Sequence, residues 1–449
     1  MIRTIKVNLF GKQIGVLRLK DSGICDFQYT SEFCASTMQP APLTMPAIPG
    51  EIYSFPFLSR ETFNGLPGMI ADSLPDRFGR ALLAQWLTAH GRNDMDENVL
   101  EKLSFQGKRC MGALEYVPSR ETYMDESSRI ELGDIIETAR IALSSKEDFK
   151  TCLQNKEKAI MDILKIGTSA GGQRAKAVIA INDTTKEIRS GQIQAPEGFE
   201  YWLLKFDGFD SDGKPTSPAN FGRREYAFSQ CVKDAGIQMT ECRLIEENGR
   251  AHFMTKRFDR VNGQKLHSQT LCALMHYDFN MPGAYSYEQA FATMRRLGCS
   301  YQELEEQFAR MVFNVLSLNM DDHTKNITFL MNRSGEWSLS PAYDMGFNYN
   351  PNGQWTSSHQ MTINSKRVKI TSYDIMETAN RNDISGATAI IEKVDTAVMN
   401  YPEHAKAAGI PDEEIKTIMT YIKEERKLIA PAIYPIPKKP NQKSNEIKH

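Results

Sequence analysis

The sequence predicts an α+β protein with a β-rich N-terminal region, a strand-bearing middle and a helical C-terminal region. Three observations carry that prediction. Residues 3–20 alternate around Gly11 and Lys12, with Ile5, Val7 and Leu9 on one side and Ile14, Val16, Leu17 and Leu19 on the other, the pattern of a β-hairpin. A glycine-rich turn at 166–175 runs into an apolar strand, and further strand patterns come at 201–206 and 242–259. Beyond about 260–265 the composition turns helical, with candidate helices at 268–279, 287–297 and 301–318.

At 449 residues the chain is too long for one core and suits two or three domains. A formal charge of −2 offers no bulk basic surface, which argues against nucleic acid as the main direct partner. Met1-Ile-Arg-Thr-Ile-Lys-Val7 alternates like a strand rather than a signal peptide, and no apolar run is long enough to cross a bilayer, so a cytoplasmic protein without a membrane partner is expected. The eight cysteines are scattered, with no C-x-x-C pair, which points to free thiols rather than disulfides or structural zinc.

After the hairpin, 25–29 reads as a third strand and the Pro-rich 40–56 as a loop. Pro75 opens an amphipathic helix with Phe78, Leu82, Leu83 and Trp86 on one face. Turn glycines and a short strand occupy 107–117, and acidic helical segments come next near 129–143 and 156–164. In the glycine-rich turn, Gly171 and Gly172 let backbone N–H groups approach a phosphate, and the hydroxyls of Thr168 and Ser169 add donors. The turn is not a Walker loop, because Gln173 stands where the lysine would be. Lys205 closes an apolar strand, and Glu225 opens a helix-like stretch at 225–235 that Gly236 ends. A strand lysine paired with a glutamate on the next helix is the kinase arrangement, although a mid-strand lysine also serves as edge protection and an early helix glutamate also suits the macrodipole. Two strands meet about Glu247-Asn-Gly249, and C-terminal helices are expected at 386–398 and 411–429 before a disordered tail. The corresponding domains are 1–120, 121–262 and 263–435, with the tail at 436–449.

The chemistry concentrates in Asn319-Met-Asp-Asp-His-Thr-Lys-Asn326 and the later Asp344, across a hairpin at 327–339. Kinase-type phosphoryl transfer needs one Asp to orient and deprotonate the acceptor hydroxyl, an Asn and a second Asp for Mg²⁺, and a cation to offset charge on the transferred group. Asp321, Asn326, Asp344 and Lys325 have that spacing. The same residue types also crowd into solvated turns, but here an apolar helix precedes the octet and an apolar strand succeeds it.

Taken in order, Ser73-Leu-Pro-Asp76, Met111-Gly-Ala113, Ala170-Gly-Gly-Gln173, Lys205, Arg257-Phe-Asp-Arg260, Asp321-Asp-His-Thr-Lys-Asn326 and Tyr343-Asp344 resemble the HipA family of bacterial serine/threonine-protein kinase toxins over nearly the whole chain. The resemblance implies a two-lobed protein-kinase-like and lipid-kinase-like fold with an added N-terminal subdomain. It implies ATP and Mg²⁺ as cofactors, Asp321 as catalytic base and Asn326 and Asp344 as metal ligands. Lys205 and the 170–176 loop (Ala170, Gly171, Gly172, Gln173 and Lys176) would meet the phosphates, and the backbone at Lys256, Arg257 and Phe258 the adenine. His323, Lys325 and Tyr343 would also line the nucleotide site. It further implies autophosphorylation of the glycine-rich loop at Thr168 or Ser169. The implied partners are a HipB-like helix-turn-helix antitoxin, DNA only through that antitoxin, and a protein substrate such as an aminoacyl-tRNA synthetase. Two departures stand out: Asp322 sits where a small residue is familiar, and the loop carries an extra residue before Lys176. The alternatives are a small-molecule kinase, which usually has a histidine where Asn319 stands, and an inactive scaffold of an antitoxin–DNA repressor complex, which would have lost one of Lys205, Asp321, Asn326 or Asp344.

Overall fold

The computed structural model describes residues 2–75, 98–119, 129–130, 176–207, 220–247 and 249–433. The opening hairpin forms as the alternation requires, β1 (Thr4–Leu9) pairing β2 (Lys12–Leu19) with Ile5, Val7, Leu9, Ile14 and Leu17 buried. The connection at Phe10 and Gly11 has φ of 52° and 81°, the left-handed pair that a tight right-twisted hairpin demands. With β3 (Cys25–Tyr29), β4 (Ile52–Ser54) and β5 (Leu114–Val117) it makes an antiparallel sheet of order β4-β3-β2-β1-β5. Short helices α1 (Ser31–Cys34), α2 (Arg60–Phe63) and α3 (Gly68–Ala71) lie in its connections. The longer α4 (Val99–Gln106), which sequence reading missed, starts at Asn98, whose side chain accepts from the Leu100 and Glu101 amides.

The second sheet, order β7-β6-β8-β10-β9, holds β6 (Lys176–Ile181), β7 (Ile188–Ser190), β8 (Glu200–Lys205), β9 (Cys242–Glu247) and β10 (Arg250–Lys256). Helix α5 (Phe221–Asp234) packs on it. Glu225 was expected at the helix start; the helix begins at Phe221, so Glu225 lies one turn inside. The second strand of the 242–259 pair stops at Lys256 rather than Asp259, because the Arg257 and Asp259 side chains turn toward one another.

Beyond the small hairpin β11 (Arg260–Val261) and β12 (Gln264–Lys265), the expected helix at 268–279 is replaced by β13 (His267–Thr270) and the short α6 (Leu271–Met275). The polar His-Ser-Gln-Thr run pairs with β14 (Thr328–Met331), which pairs with β15 (Trp337–Leu339), and this tertiary pairing overrides the local helical pattern. Helices α7 (Tyr287–Leu297) and α8 (Tyr301–Leu316) match their expected spans, each opened by a capping box, Ser286 with Gln289 and Ser300 with Glu303. Then come α9 (Ser372–Arg381), α10 (Ala387–Met399), α11 (Tyr401–Ala407) and α12 (Asp412–Ile433) around the largest buried cluster. No helix among the described residues is long and apolar enough to cross a membrane. The cysteines among the described residues are all free. The helix expected from Pro75 and the glycine-rich turn fall on residues outside those described.

Among the described residues, His252 and His267 are buried and His276 is half-buried, and all three are uncharged at neutral pH. Burial lowers His252, His267 and His276 from 6.5 to about 4. His252 Nδ1 and His276 Nε2 each accept a backbone N–H, which a protonated nitrogen cannot do. Between pH 6.5 and about 4 the unfolded chain therefore binds more protons than the folded one, and stability must fall as pH falls through that window. A thermal melt series from pH 7 to about 4.5 is expected to show a steadily lower midpoint; a flat series would contradict this account.

Candidate active site

Lys205 ends β8 with its ammonium buried, and its Nζ bonds both Glu225 of α5 and Asp344. Burial acts to lower its pKa, but the two carboxylates prevail and hold it above the ordinary lysine range. Lys176, also buried, lies directly opposite Lys205 in the β6–β8 register. Asp344 has φ of 52°, a conformation uncommon for a residue with a Cβ, and this turn brings its carboxylate to the lysine. Burial pushes the Asp344 carboxyl up, yet Lys205 first and Lys176 next outweigh it and hold it below the usual carboxylate range.

The octet comes directly after α8, with Leu318 at φ 54° turning the chain back and a 3₁₀ turn at Thr324–Asn326. Asn326 Nδ2 donates to the Asp321 carbonyl at 2.7 Å, which leaves Oδ1 as the oxygen available to a cation. The Asp321 side chain is 44% exposed, with His323 Nε2 4.0 Å from its Oδ1. Lys325 places its ammonium 4.5 Å over the Phe279 ring, and Phe279 also meets the His323 ring edge-on. The Tyr343 hydroxyl joins Thr328 Oγ1 and the Lys325 carbonyl, each at 2.5 Å, so Tyr343 braces the turn from beneath.

At the expected adenine segment, Lys256 pairs with Glu200 at 2.5 Å and the Phe258 ring lies 5.7 Å from that of Tyr343. The Arg257 guanidinium is committed to Asp259 through Nε and Nη2, at 2.8 and 2.7 Å, and to the Gly191 carbonyl, while its backbone N–H donates to the Tyr201 carbonyl at 2.8 Å. A small cavity is lined by Asn319, His323, Asn326, Tyr343 and Asp344, together with Gln307 and Arg310. The structure thus brings Lys176, Lys205, Glu225 and Asp344 together, sets His323, Asn326 and Tyr343 with Asp344 around one cavity, and carries Asp321 and Lys325 on the adjoining turn. Thr168, Ser169, Ala170, Gly171, Gly172 and Gln173 lie outside the described residues. Sequence reading missed Tyr287, His359 and Gln360, whose link to the octet depends on contacts across long stretches of chain, and Asn314, which bonds Asn319 from five positions before it.

Residues 168–423 match the family model described as HipA-like C-terminal domain, and residues 5–117 match the HipA N-terminal domain. The chain belongs to the HipA family. No curated protein matches its sequence. A chain of the Shewanella oneidensis MR-1 toxin–antitoxin complex of HipA, HipB and operator DNA superposes with a TM-score of 0.63 at 17% identity, covering 94% of this chain and 95% of that one. The two-lobed, kinase-like fold with its N-terminal β-rich part is therefore that of a HipA protein. The Helicobacter pylori proinflammatory kinase CtkA overlaps 46% of this HipA-family chain and 89% of its own, at 15% identity and a TM-score of 0.29, too low to bear on function.

Proposed function

We propose that this HipA-family protein is an ATP- and Mg²⁺-dependent serine/threonine-protein kinase and the toxin of a toxin–antitoxin pair. The observation that carries this reading is the Lys205 ammonium, buried and shared between Glu225 and Asp344, with Asn326 and Asp321 presented by the adjoining turn. A carboxylate and an amide oxygen are hard donors suited to Mg²⁺, which is usually bound by one or two carboxylates together with phosphates. Held below the usual carboxylate range by Lys205, Asp344 would present a carboxylate for that task. Bound Mg·ATP would supply the phosphoryl group and offset its charge. Lys205 and Lys176 would hold positive charge at the phosphates, Glu225 would keep Lys205 aimed, and Asp321 would accept the proton of the acceptor hydroxyl.

A HipB-like antitoxin is the proposed partner, by analogy with the Shewanella complex, in which HipA is accompanied by HipB and operator DNA. DNA would be met only through that partner, and an aminoacyl-tRNA synthetase or another translation component is the first substrate to examine. A small-molecule kinase is less well supported, because the buried Asn319 is occupied in bonding Asn314, Asn348 and the Asp344 carbonyl.

The test is purified protein with labelled ATP and a cell lysate, with identification of the labelled band. Transfer to serine or threonine of one protein is expected; no transfer to any protein would defeat the reading. Loop autophosphorylation is expected alongside. A phosphate at Thr168 or Ser169 would add about −1.5 to −2 charge beside the triphosphate and lower ATP affinity. Mass spectrometry should find it in wild-type protein and not in Asp321→Asn; equal modification in both would rule out self-modification.

A further inference from the structure

Of the two neighbouring aspartates, the one beside the base is the more firmly held. Asp322 is 2% exposed, and three donors converge on it. Its Oδ1 accepts from the Gln360 amide at 2.7 Å, and its Oδ2 accepts from the Tyr287 hydroxyl and from His359 Nδ1, both at 2.9 Å. A buried carboxylate is tolerated only when satisfied in this way. An ionised carboxylate only accepts, so Nδ1 is the protonated nitrogen of His359.

That assignment fixes the direction of the bonds beyond it. Tyr287 gives its one proton to Asp322 and so must accept from Asn314 Nδ2, at 2.9 Å. Burial first, and the Asp322 charge next, raise the Tyr287 phenol well above its ordinary pKa, so that proton stays. Asn314 Oδ1 accepts from Asn319 Nδ2 at 2.9 Å, and Asn319 Oδ1 from Asn348 Nδ2 at 2.8 Å. Every donor in the series points toward Asp322. Asn319 Nδ2 also reaches the Asp344 carbonyl at 3.0 Å. One polar thread thus runs from the backbone of the proposed metal aspartate to the residue adjoining the proposed base, and bonds in such a series polarise one another.

We propose that Asp322 and His359 are positioning residues: they fix the Asp321 carboxylate relative to Asp344 without touching the substrate. This rests on reading the site as that of a kinase. Because Asp321 and Asp322 share a peptide bond, any rotation that frees Asp322 re-aims the base.

The test uses the full chain with Mg·ATP and two acceptor probes, casein and water, and reads phosphate transfer and release. His359→Gln is expected to lower kcat about 10- to 100-fold with KM for ATP unchanged, since a misplacement of about 1 Å costs up to about 10²-fold. His359→Asn, whose amide nitrogen can stand in for Nδ1, should recover most of the rate. Asp322→Asn should lower kcat, and combining it with His359→Gln should lower it little further, because one network is cut once. A kcat for His359→Gln within about twofold of wild type, or ATP affinity falling in parallel with kcat, overturns the proposal. Deuterium uptake by the 319–326 segment is read on the same proteins. It should be about tenfold faster in His359→Gln and close to wild type in His359→Asn, and equal uptake in all three also overturns the proposal. Uptake needs no turnover, so a wild-type protein that transfers no phosphate would defeat the kinase reading while the positioning of Asp321 is still decided.

Discussion

Asp321→Asn is expected to lower phosphate transfer by about 10²- to 10⁴-fold, the range for removing a general base, while Mg·ATP affinity stays unchanged. The Asp321 side chain is 44% exposed and bonds neither Lys205 nor Asp344. In the proposed reading the nucleotide is met by Lys205 and Asp344 rather than by Asp321, so binding and proton removal should separate. Asp344→Ala should do the opposite and weaken Mg·ATP binding, because it deletes a hard ligand and a partner of Lys205 at once. A nucleotide titration of both variants checks this; equal loss of affinity would show that the two aspartates do not divide the work.

The largest expected loss of stability is at Asp259, next to the expected adenine segment. Its carboxylate is fully buried between Arg257 and Arg260, and it also accepts the Gly112 amide at 2.7 Å. Burial would raise its pKa, but the two guanidinium groups outweigh that and hold it far below the carboxylate range. Arg260 is itself lowered to about 10, by burial first and Arg257 next. Asp259→Ala would leave two buried cations facing each other, and removal of one member of such a network costs about 3–5 kcal/mol. Because Arg260 also bonds the Gly112 and Cys110 carbonyls, the loss should loosen the turn before β5 from the start of β11. Chemical denaturation measures it, and a change below about 1 kcal/mol, the surface-pair range, would show the network to be dispensable.

Both cases mark what was legible in the sequence. The octet, Lys205 and Asp344 stood out because the proposed chemistry asks for both residue type and spacing, and the opening hairpin was legible because alternation around Gly11 admits few other structures. Arg257-Phe-Asp-Arg260 gave no sign of burial, since adjacent opposite charges usually mark a solvated surface. Glu225 was ambiguous for a different reason: a glutamate near a helix start has a local explanation, and only the three-dimensional pairing with Lys205 decides for the other. Nor could the run at 268–279 be read correctly, because β13 is made of polar residues whose partner β14 lies some sixty positions on. Asp322 was visible, but its donors Tyr287 and His359 come from 35 and 37 positions away in opposite directions.

Gly222, near the start of α5, sits where a Cβ would meet the Ala251 carbonyl oxygen at 2.0 Å and the Phe253 amide nitrogen at 3.0 Å. Phe253 is the register partner of Lys205, so the helix is seated on the backbone next to that lysine, one turn before Glu225. With bare backbone against bare backbone, the first turn of α5 has no slack in which to roll. The Lys205–Glu225 pair is thus formed without a ligand, on a helix turn that lies backbone to backbone against the strand beside the lysine, so a side chain at position 222 would push Glu225 off its partner.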